Sequence, residues 1–119
     1  MALRFAEQAR RELEKGTTSR AFVLLDAAIE RSPDSVAPYV IRARAFLAEG
    51  SAARARSDLH RAVDLEPSPA WLAEAVAVNG EAFELEGNTD AAVAAYRRAL
   101  SISAANVTAR DALRRLSGP

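Results

Sequence analysis

The stretch from Val36 to Pro67 carries a pattern that recurs on both sides of it, and this repetition constrains the fold more than any other feature. Its first half places Tyr39 and Phe46 at helical spacing and ends at Gly50. Its second half has another helical stripe, formed by Ala55, Leu59 and Ala62, and ends at the proline. Two helices joined by a tight turn cannot bury both of their apolar faces alone, so such a unit requires neighbouring copies.

Two further copies are present. At 34 residues toward the N-terminus, the same spacing finds Gly16, Ala21, Leu25, Ala28 and Pro33. At 37 residues toward the C-terminus, it finds Gly87, Ala92, Tyr96, Ala99 and Ala104, so that the final proline is replaced by alanine. The three copies predict helical hairpins stacked side by side in a row.

The periodicity predicts seven helices and no strand. They are expected at residues 2–15, 18–31, 36–49, 52–65, from 69 to the turn at Gly87 and Asn88, 90–103 and 107–116. Three extra residues in the third copy, around Trp71, are expected to lengthen the fifth helix by about one turn. The last helix has an apolar stripe and a charged opposite face, which favours a terminal cap with its charges outward.

The predicted fold is therefore an all-α, right-handed solenoid of three helix-turn-helix units and a terminal helix. One domain spans 1–119, with repeats over 2–35, 36–69 and 70–106 and a capping helix over 107–116.

Composition narrows the classes of function. Sixteen basic and sixteen acidic residues give a formal net charge of zero, which argues against a general binder of nucleic acid or anionic membranes. Cysteine is absent, so the chain has no disulfide, thiolate metal site or thiol nucleophile. The first residues lack the apolar core of a signal peptide, and a cytoplasmic location is expected. All basic residues but Lys15 are arginine and alanine is abundant, a composition associated with bacterial genomes rich in GC.

The small and bulky residues of the three copies resemble the tetratricopeptide repeat family over nearly the whole chain. The second copy carries the resemblance with Tyr39, Ala43, Phe46, Ala55 and Ala62, and the third with Val76, Gly80, Phe83, Ala92, Tyr96 and Ala99. The first copy contributes Phe5, Ala9, Ala21, Leu25 and Ala28. The chain departs from the family at the slot that is usually leucine, which holds Gln8, Arg42 and Asn79.

The resemblance implies a concave groove, lined by the first helix of each hairpin, that holds a peptide or partner segment. Carried over by position, the groove residues are Ala6, Arg10, Leu13, Val40, Ile41, Arg44, Leu47, Ala77, Val78, Glu81 and Glu84. Arginine lies toward the N-terminal side and glutamate toward the C-terminal side, so a ligand with an apolar stripe and opposite charges at its two ends would suit it. A free peptide is expected to bind with micromolar affinity, on the order of −7 to −9 kcal/mol.

One subfamily is not expected. Members that bind chaperone tails clamp a C-terminal carboxylate with lysine, asparagine and arginine side chains. The matching positions here are Ala6, Arg10, Ile41, Glu74 and Val78, of which only one is basic. Glu74 would repel a carboxylate.

A few residues outside the groove were weighed as sites. His60, the single histidine, cannot build a metal site or a catalytic triad alone and is expected to be solvated. Trp71 is expected either to pack against the fourth helix or to anchor a partner. Phe22, Val23 and Leu24 precede Leu25 without a break, which indicates either a wide core contact or an association surface, to which Trp71 could also belong.

The sequence thus favours a non-catalytic adaptor or scaffold that binds a protein or peptide, without a cofactor or a metal. The alternative is a structural unit that assembles with itself or belongs to a longer array, with the second helix as the association surface. No residue can be nominated for catalysis.

Overall fold

The computed structural model describes residues 2–118, with side chains from Arg4 onward, and all of the regular structure in this range is helical. The helices are α1 (Ala2–Glu14), α2 (Thr18–Arg31), α3 (Val36–Ala48), α4 (Ala52–Asp64), α5 (Pro69–Leu85), α6 (Thr89–Ile102) and α7 (Val107–Ser117). The prediction of an all-α solenoid is confirmed. Met1 and Pro119, the ends of the predicted domain, lie outside the described residues.

Glycine and serine residues mark several of the helix ends. Gly16, Gly50 and Gly87 follow α1, α3 and α5 at φ near +80°, for example +82° at Gly50, where a side chain would be strained. Ser68 caps α5, because its hydroxyl accepts a hydrogen bond from the Trp71 amide. α5 has 17 residues against 13 in α3, which confirms the predicted extra turn.

Three helices start without a side-chain cap. Thr17, Ser35 and Ser51 precede α2, α3 and α4, and none of them makes a side-chain hydrogen bond to its helix. The Thr17 hydroxyl turns back to α1 and donates to the carbonyl oxygen of Glu12 at 2.9 Å, so it ties the end of one helix rather than the start of the next.

Three apolar clusters hold the helices together, and each joins one hairpin to the first helix of the next. The first includes Ala9, Leu25 and Ile41, from α1, α2 and α3. The second joins α3 and α4 to α5, and the third joins α5 and α6 to α7. Because every cluster needs three consecutive helices, the hairpins are stacked in chain order, as the repeat predicts.

The contact between the two helices of a hairpin is made differently in the third copy. The pairs Ala9–Leu25 and Ala43–Leu59 occupy it in the first two hairpins, whereas Gly80 and Tyr96 occupy it in the third. A Cβ atom at position 80 would lie 2.6 Å from Cε1 of the buried tyrosine ring. The larger ring therefore fits only because glycine faces it.

Stacking produces two faces. We call the side formed by α1, α3, α5 and α7 the inner face, since these helices contact one another in order. α2, α4 and α6 form the outer face, and no Cα atom of one comes within 8 Å of a Cα atom of another, each of the three being fully described. The outer helices therefore leave gaps between them, with the inner helices as the floor.

Candidate partner-binding groove

The N-terminal half of the inner face contains a cavity of about 430 Å³ between α1, α3 and α5. Leu13, Ala48 and Trp71 supply apolar surface along it, and Arg10 stands at its edge with an exposed guanidinium group. The full lining comprises Arg10, Leu13, Glu14, Val40, Ile41, Arg44, Ala48, Trp71 and Glu74. This half of the inner face can accept an apolar side chain beside a positive charge.

The C-terminal half contains a second cavity of about 360 Å³ between α3, α5, α6 and α7. Its lining is mostly polar and comprises Arg44, Glu81, Tyr96, Thr108, Asp111, Ala112 and Arg115. Four of these seven side chains are charged, and they carry both signs. This half is suited to a polar or charged side chain rather than to an apolar one.

Arg44 lies between the two cavities and is held from α5 and α7. Its Nη2 atom donates to Oε2 of Glu74 at 2.6 Å and to the hydroxyl of Thr108 at 2.9 Å. The same Nη2 atom lies 3.6 Å from Oε1 of Glu81, which is within ion-pair range but too far for a hydrogen bond. These contacts fix the side chain of Arg44 in place, so that it separates the two cavities of the groove.

The pKa values of the two carboxylates beside Arg44 are shifted in opposite directions. Burial raises the pKa of Glu74, but Arg44, Asn106 and Thr108 outweigh it, so that this pKa is lowered overall. Burial also raises the pKa of Glu81, and there the attraction of Arg44 does not compensate, so that this pKa lies above its ordinary value. Oε1 of Glu81 is buried and has no hydrogen-bond partner in the described part of the chain.

A second ion pair closes the C-terminal end of the groove. The Nη2 and Nη1 atoms of Arg115 donate to Glu84, at 2.7 and 3.0 Å, and the hydroxyl of Tyr96 donates to the same carboxylate. The hydrogen bonds from Arg115 lower the pKa of Glu84, against the opposing effect of burial. Burial and the neighbouring Glu84 raise the pKa of Tyr96, so its hydroxyl remains a donor.

The structure separates the predicted groove residues into two groups. Arg10, Leu13, Arg44, Glu81 and Glu84 lie at the surface of the inner face or in the ion pairs along it. Ala6, Ala77 and Val78 are fully buried, and Val40 and Ile41 are only 1% and 2% exposed. Ala6, Ala77 and Val78 present no surface to a partner, because neighbouring helices pack on them, whereas Val40 and Ile41 still line the first cavity. Leu47 is half-buried against the second apolar cluster and lines neither cavity.

Several groove residues were missed by the sequence analysis. Glu14 and Ala48 extend the predicted stripes of α1 and α3 by one turn, and that spacing could have indicated them. Thr108, Asp111 and Arg115 belong to α7, whose charged face was expected to point outward. Asp111 and Arg115 are both exposed, as expected, but they border the groove because α7 packs beside α5 as a further inner helix.

The predicted association surface is only partly available. Phe22 packs against Phe46 with ring centroids 4.9 Å apart and the ring planes tilted by 50°, and Leu24 is half-buried against the first cluster. Trp71 is half-buried between the first and second clusters and lines the inner cavity. Val23 alone of the four is well exposed, at 70%. A single exposed valine is common on protein surfaces.

Between residues 2 and 118 no group of three acidic or histidine side chains is arranged to hold a metal ion. None of the helices in that range has the length and apolar character required to span a bilayer. His60 is exposed on α4.

Several solved protein structures share this architecture, whereas sequence comparisons find no match. No protein-family model and no curated protein sequence matches the chain. Among solved structures, the first TPR domain of human RPAP3 is similar with a TM-score of 0.82 and 25% identity, over 98% of this chain and 90% of that one. The first TPR of Spaghetti (RPAP3), bound to the HSP90 peptide SRMEEVD, superposes with a TM-score of 0.78 at 24% identity, over 98% and 90%.

The second TPR domain of human RPAP3, in complex with the HSP70 peptide SGPTIEEVD, has a TM-score of 0.76 and 19% identity, over 99% of this chain and 96% of that one. The three alignments cover nearly the whole of this chain. The chain therefore has the fold of these TPR domains, with three helical hairpins and one further helix among the described residues.

Proposed function

We propose that this chain is a non-catalytic interaction module whose inner face binds an extended or helical segment of a partner protein. The observation that carries the proposal is the pair of adjacent cavities along the inner face, which together follow the row of α1, α3, α5 and α7. Two similar domains were solved with bound peptides, which supports peptide binding by this fold. A cytoplasmic location is part of the same proposal.

The chemistry of the two cavities indicates the kind of segment. An apolar side chain would fill the space between Leu13, Ala48 and Trp71, and a neighbouring acidic residue would pair with Arg10. A basic side chain would suit the second cavity, where Glu81 and Asp111 face the groove and Glu81 has an oxygen without a hydrogen-bond partner. The preferred segment is therefore acidic and apolar toward α1 and basic toward α7.

A chaperone tail does not suit this groove. Both peptides in the similar structures end in EEVD, so they present several carboxylates. Here Arg44 already has Glu74 as its partner at 2.6 Å, and Glu81 adds a further negative charge nearby. We expect SRMEEVD to bind more weakly than a segment of the preferred charge pattern, because like charges repel at short range.

Matched variants test the inner face. Ala48→Arg fills the first cavity from an exposed position at the end of α3, whereas Ala53→Arg makes the same change on the exposed surface of α4. Arg10→Glu reverses the charge at the cavity edge, and Arg11→Glu does so on the adjacent residue outside the cavity. Partners captured from a bacterial lysate should be lost with the first member of each pair and kept with the second.

Circular dichroism should show the same helical content in all four variants, since each position is exposed. Equal capture by Ala48→Arg, Arg10→Glu and the unchanged protein would refute binding at the inner face. Anisotropy with fluorescent SRMEEVD provides a separate check, since tight binding of this peptide would refute the exclusion of chaperone tails.

A further inference from the structure

The outer face has a groove of its own between α4 and α6. The cavity measures about 460 Å³, and its floor is formed by α5. Leu59, Val63, Val76 and Phe83 make the floor and walls apolar. The side chain of Asn79 lies among them and is only partly buried, so its amide can still bind a ligand.

The corresponding gap between α2 and α4 is closed by polar contacts. Arg42 of α3 donates to both carboxylate oxygens of Asp58 on α4, at 2.8 and 2.7 Å. Its Nη1 atom donates to Asp26 on α2 at 3.2 Å. The tilted pair of rings of Phe22 and Phe46 lies beside these ion pairs, with the Arg42 guanidinium group 5.9 Å from the centroid of the Phe46 ring. One guanidinium group thus bridges three helices across the first gap.

The repeat shows why the second gap is open. By the offsets of 34 and 37 residues, the residues that correspond to Asp26, Arg42 and Asp58 are His60, Asn79 and Ala95. None of the three makes a side-chain hydrogen bond across the gap within residues 2–118. The pair of phenylalanines becomes Arg56 and Phe83, with the guanidinium group 5.1 Å from the ring centroid.

The charged side chains that line this groove are all positive. Arg56 and His60 line it from α4 and Arg98 lines it from α6, and no carboxylate is among the lining side chains. Arg56 pairs with Glu86 at 2.6 Å, outside the cavity lining. Arg98 makes no ion pair with any other residue of the described chain. Positive groups on both walls above an apolar floor favour an acidic ligand with an apolar centre.

We propose that this outer groove, defined by Arg56, His60, Asn79, Phe83 and Arg98, is a second protein-binding site, specific for a short segment with apolar side chains flanked by Asp or Glu. The apolar side chains occupy the floor between Val63, Val76 and Phe83, and a flanking carboxylate pairs with Arg98. Arg56, which keeps Glu86 as its partner, adds positive charge on the opposite wall. Because the groove lies on the face opposite the cavities of the inner face, the chain can hold two different segments at once.

A short synthetic peptide, acetyl-SDELFDES-amide, is the probe for this site. Its blocked ends remove the terminal charges, so only side-chain carboxylates can contact the arginines. In spectra of the labelled full chain carrying Arg10→Glu, which reverses the charge at the edge of the inner cavity, addition of the peptide should shift the methyl signals of Val63 and Val76 and leave those of Leu13 unchanged. A control peptide with lysine in place of every acidic residue should cause no shifts at about 1 mM.

Variants designed from the first gap provide the sharpest test. The triple substitution His60→Asp, Asn79→Arg and Ala95→Asp copies the Asp26–Arg42–Asp58 bridge into the second gap and should abolish binding of the peptide while retaining the helical content. Arg98→Glu should weaken binding roughly tenfold, because it replaces an attraction by a repulsion at the groove wall. Arg97→Glu, on the adjacent exposed residue outside the groove, should change the affinity less than about twofold.

Three results would overturn the proposal. The first is equal binding of the acidic and lysine peptides, or no shift with either. The second is a set of shifts at Leu13 and Ala48, which would place the peptide on the inner face. The third is shifts at Val63 and Val76 that grow with protein concentration without peptide, because the groove would then be covered by a second copy of the chain. The tests of the inner face are unaffected by any of them.

Discussion

The contact between Gly80 and Tyr96 gives the most direct test of the packing. Replacing Gly80 by alanine would place a Cβ atom 2.6 Å from Cε1 and 2.9 Å from both Cδ1 and Cζ of the tyrosine ring. The ring is fully buried and its hydroxyl is tied to Glu84, so it has little freedom to move aside. We therefore expect Gly80→Ala to destabilise the fold, although alanine is the better helix former.

The magnitude follows from two opposing effects. Overpacking of a well-packed core costs about 1–3 kcal/mol, and three ring atoms inside contact distance place this site near the upper end. Alanine in place of glycine inside a helix recovers about 1 kcal/mol. The net loss should be about 2 kcal/mol, which corresponds to a fall in Tm of roughly 8 °C for a chain of this size.

Urea unfolding of a double-mutant cycle isolates this contact. Tyr96→Leu alone should also destabilise the fold, because it leaves space opposite Gly80 and removes the hydrogen bond to Glu84. The double variant Gly80→Ala, Tyr96→Leu recreates the alanine–leucine pair of the first two hairpins, so it should be more stable than the sum of the single effects by about 1–3 kcal/mol. If Gly80→Ala is instead as stable as the unchanged chain, or more stable, the tyrosine ring does not face that glycine and the reasoning fails.

Other predictions concern the charged contacts. Arg42→Met should lower the free energy of unfolding in urea by about 3 kcal/mol, because it leaves Asp58, whose side chain is only 8% exposed, without its cation. Asp26→Asn changes a carboxylate that is 65% exposed, so it should alter stability by less than about 0.5 kcal/mol. Equal effects of the two variants would contradict the bridge. Glu81→Gln should raise stability at pH 7, because the raised pKa of Glu81 in the folded chain means that its ionised form opposes folding. The gain should vanish below about pH 4, where Glu81 is protonated in both the folded and the unfolded chain. Glu74→Gln should do the reverse, since its lowered pKa gives stability that is present at neutral pH and lost as the pH falls; a stability change of the same sign in the two glutamine variants would refute these assignments.

The sequence predicted the helices well because the chain marks their ends with residues of fixed conformational preference. Gly50, for instance, stands where the backbone turns into the left-handed region, and Pro69 begins α5. The predicted range 18–31 for the second helix agrees with the structure, and the other bounds differ by about a residue. Glycine and proline at the helix ends, together with small residues at fixed spacing, are enough to predict the bounds of the helices.

The groove was less predictable because periodicity gives the face of a helix but not the depth of packing. Val40 and Ile41 lie on the same side of α3 as Arg44, yet they are almost fully buried, whereas the side chain of Arg44 is 36% exposed. The role of α7 was missed for a related reason. A charged face on a last helix was assumed to meet solvent, whereas Arg115 reaches back to Glu84 on α5. Such pairings join residues about 30 positions apart, and no local pattern encodes them.

Each apolar cluster is shared between a hairpin and the helix that follows it, so α3 and α5 each belong to two clusters, while α1, α2, α4 and α6 belong to one. Opening the middle of the row would expose two clusters at once, whereas fraying at either end exposes one. Local unfolding should therefore begin at the two ends of the row. A ligand on the inner face that spans α1 to α7 would contact every inner helix. Its binding should reduce local unfolding most strongly at the two ends, where the free chain opens most readily.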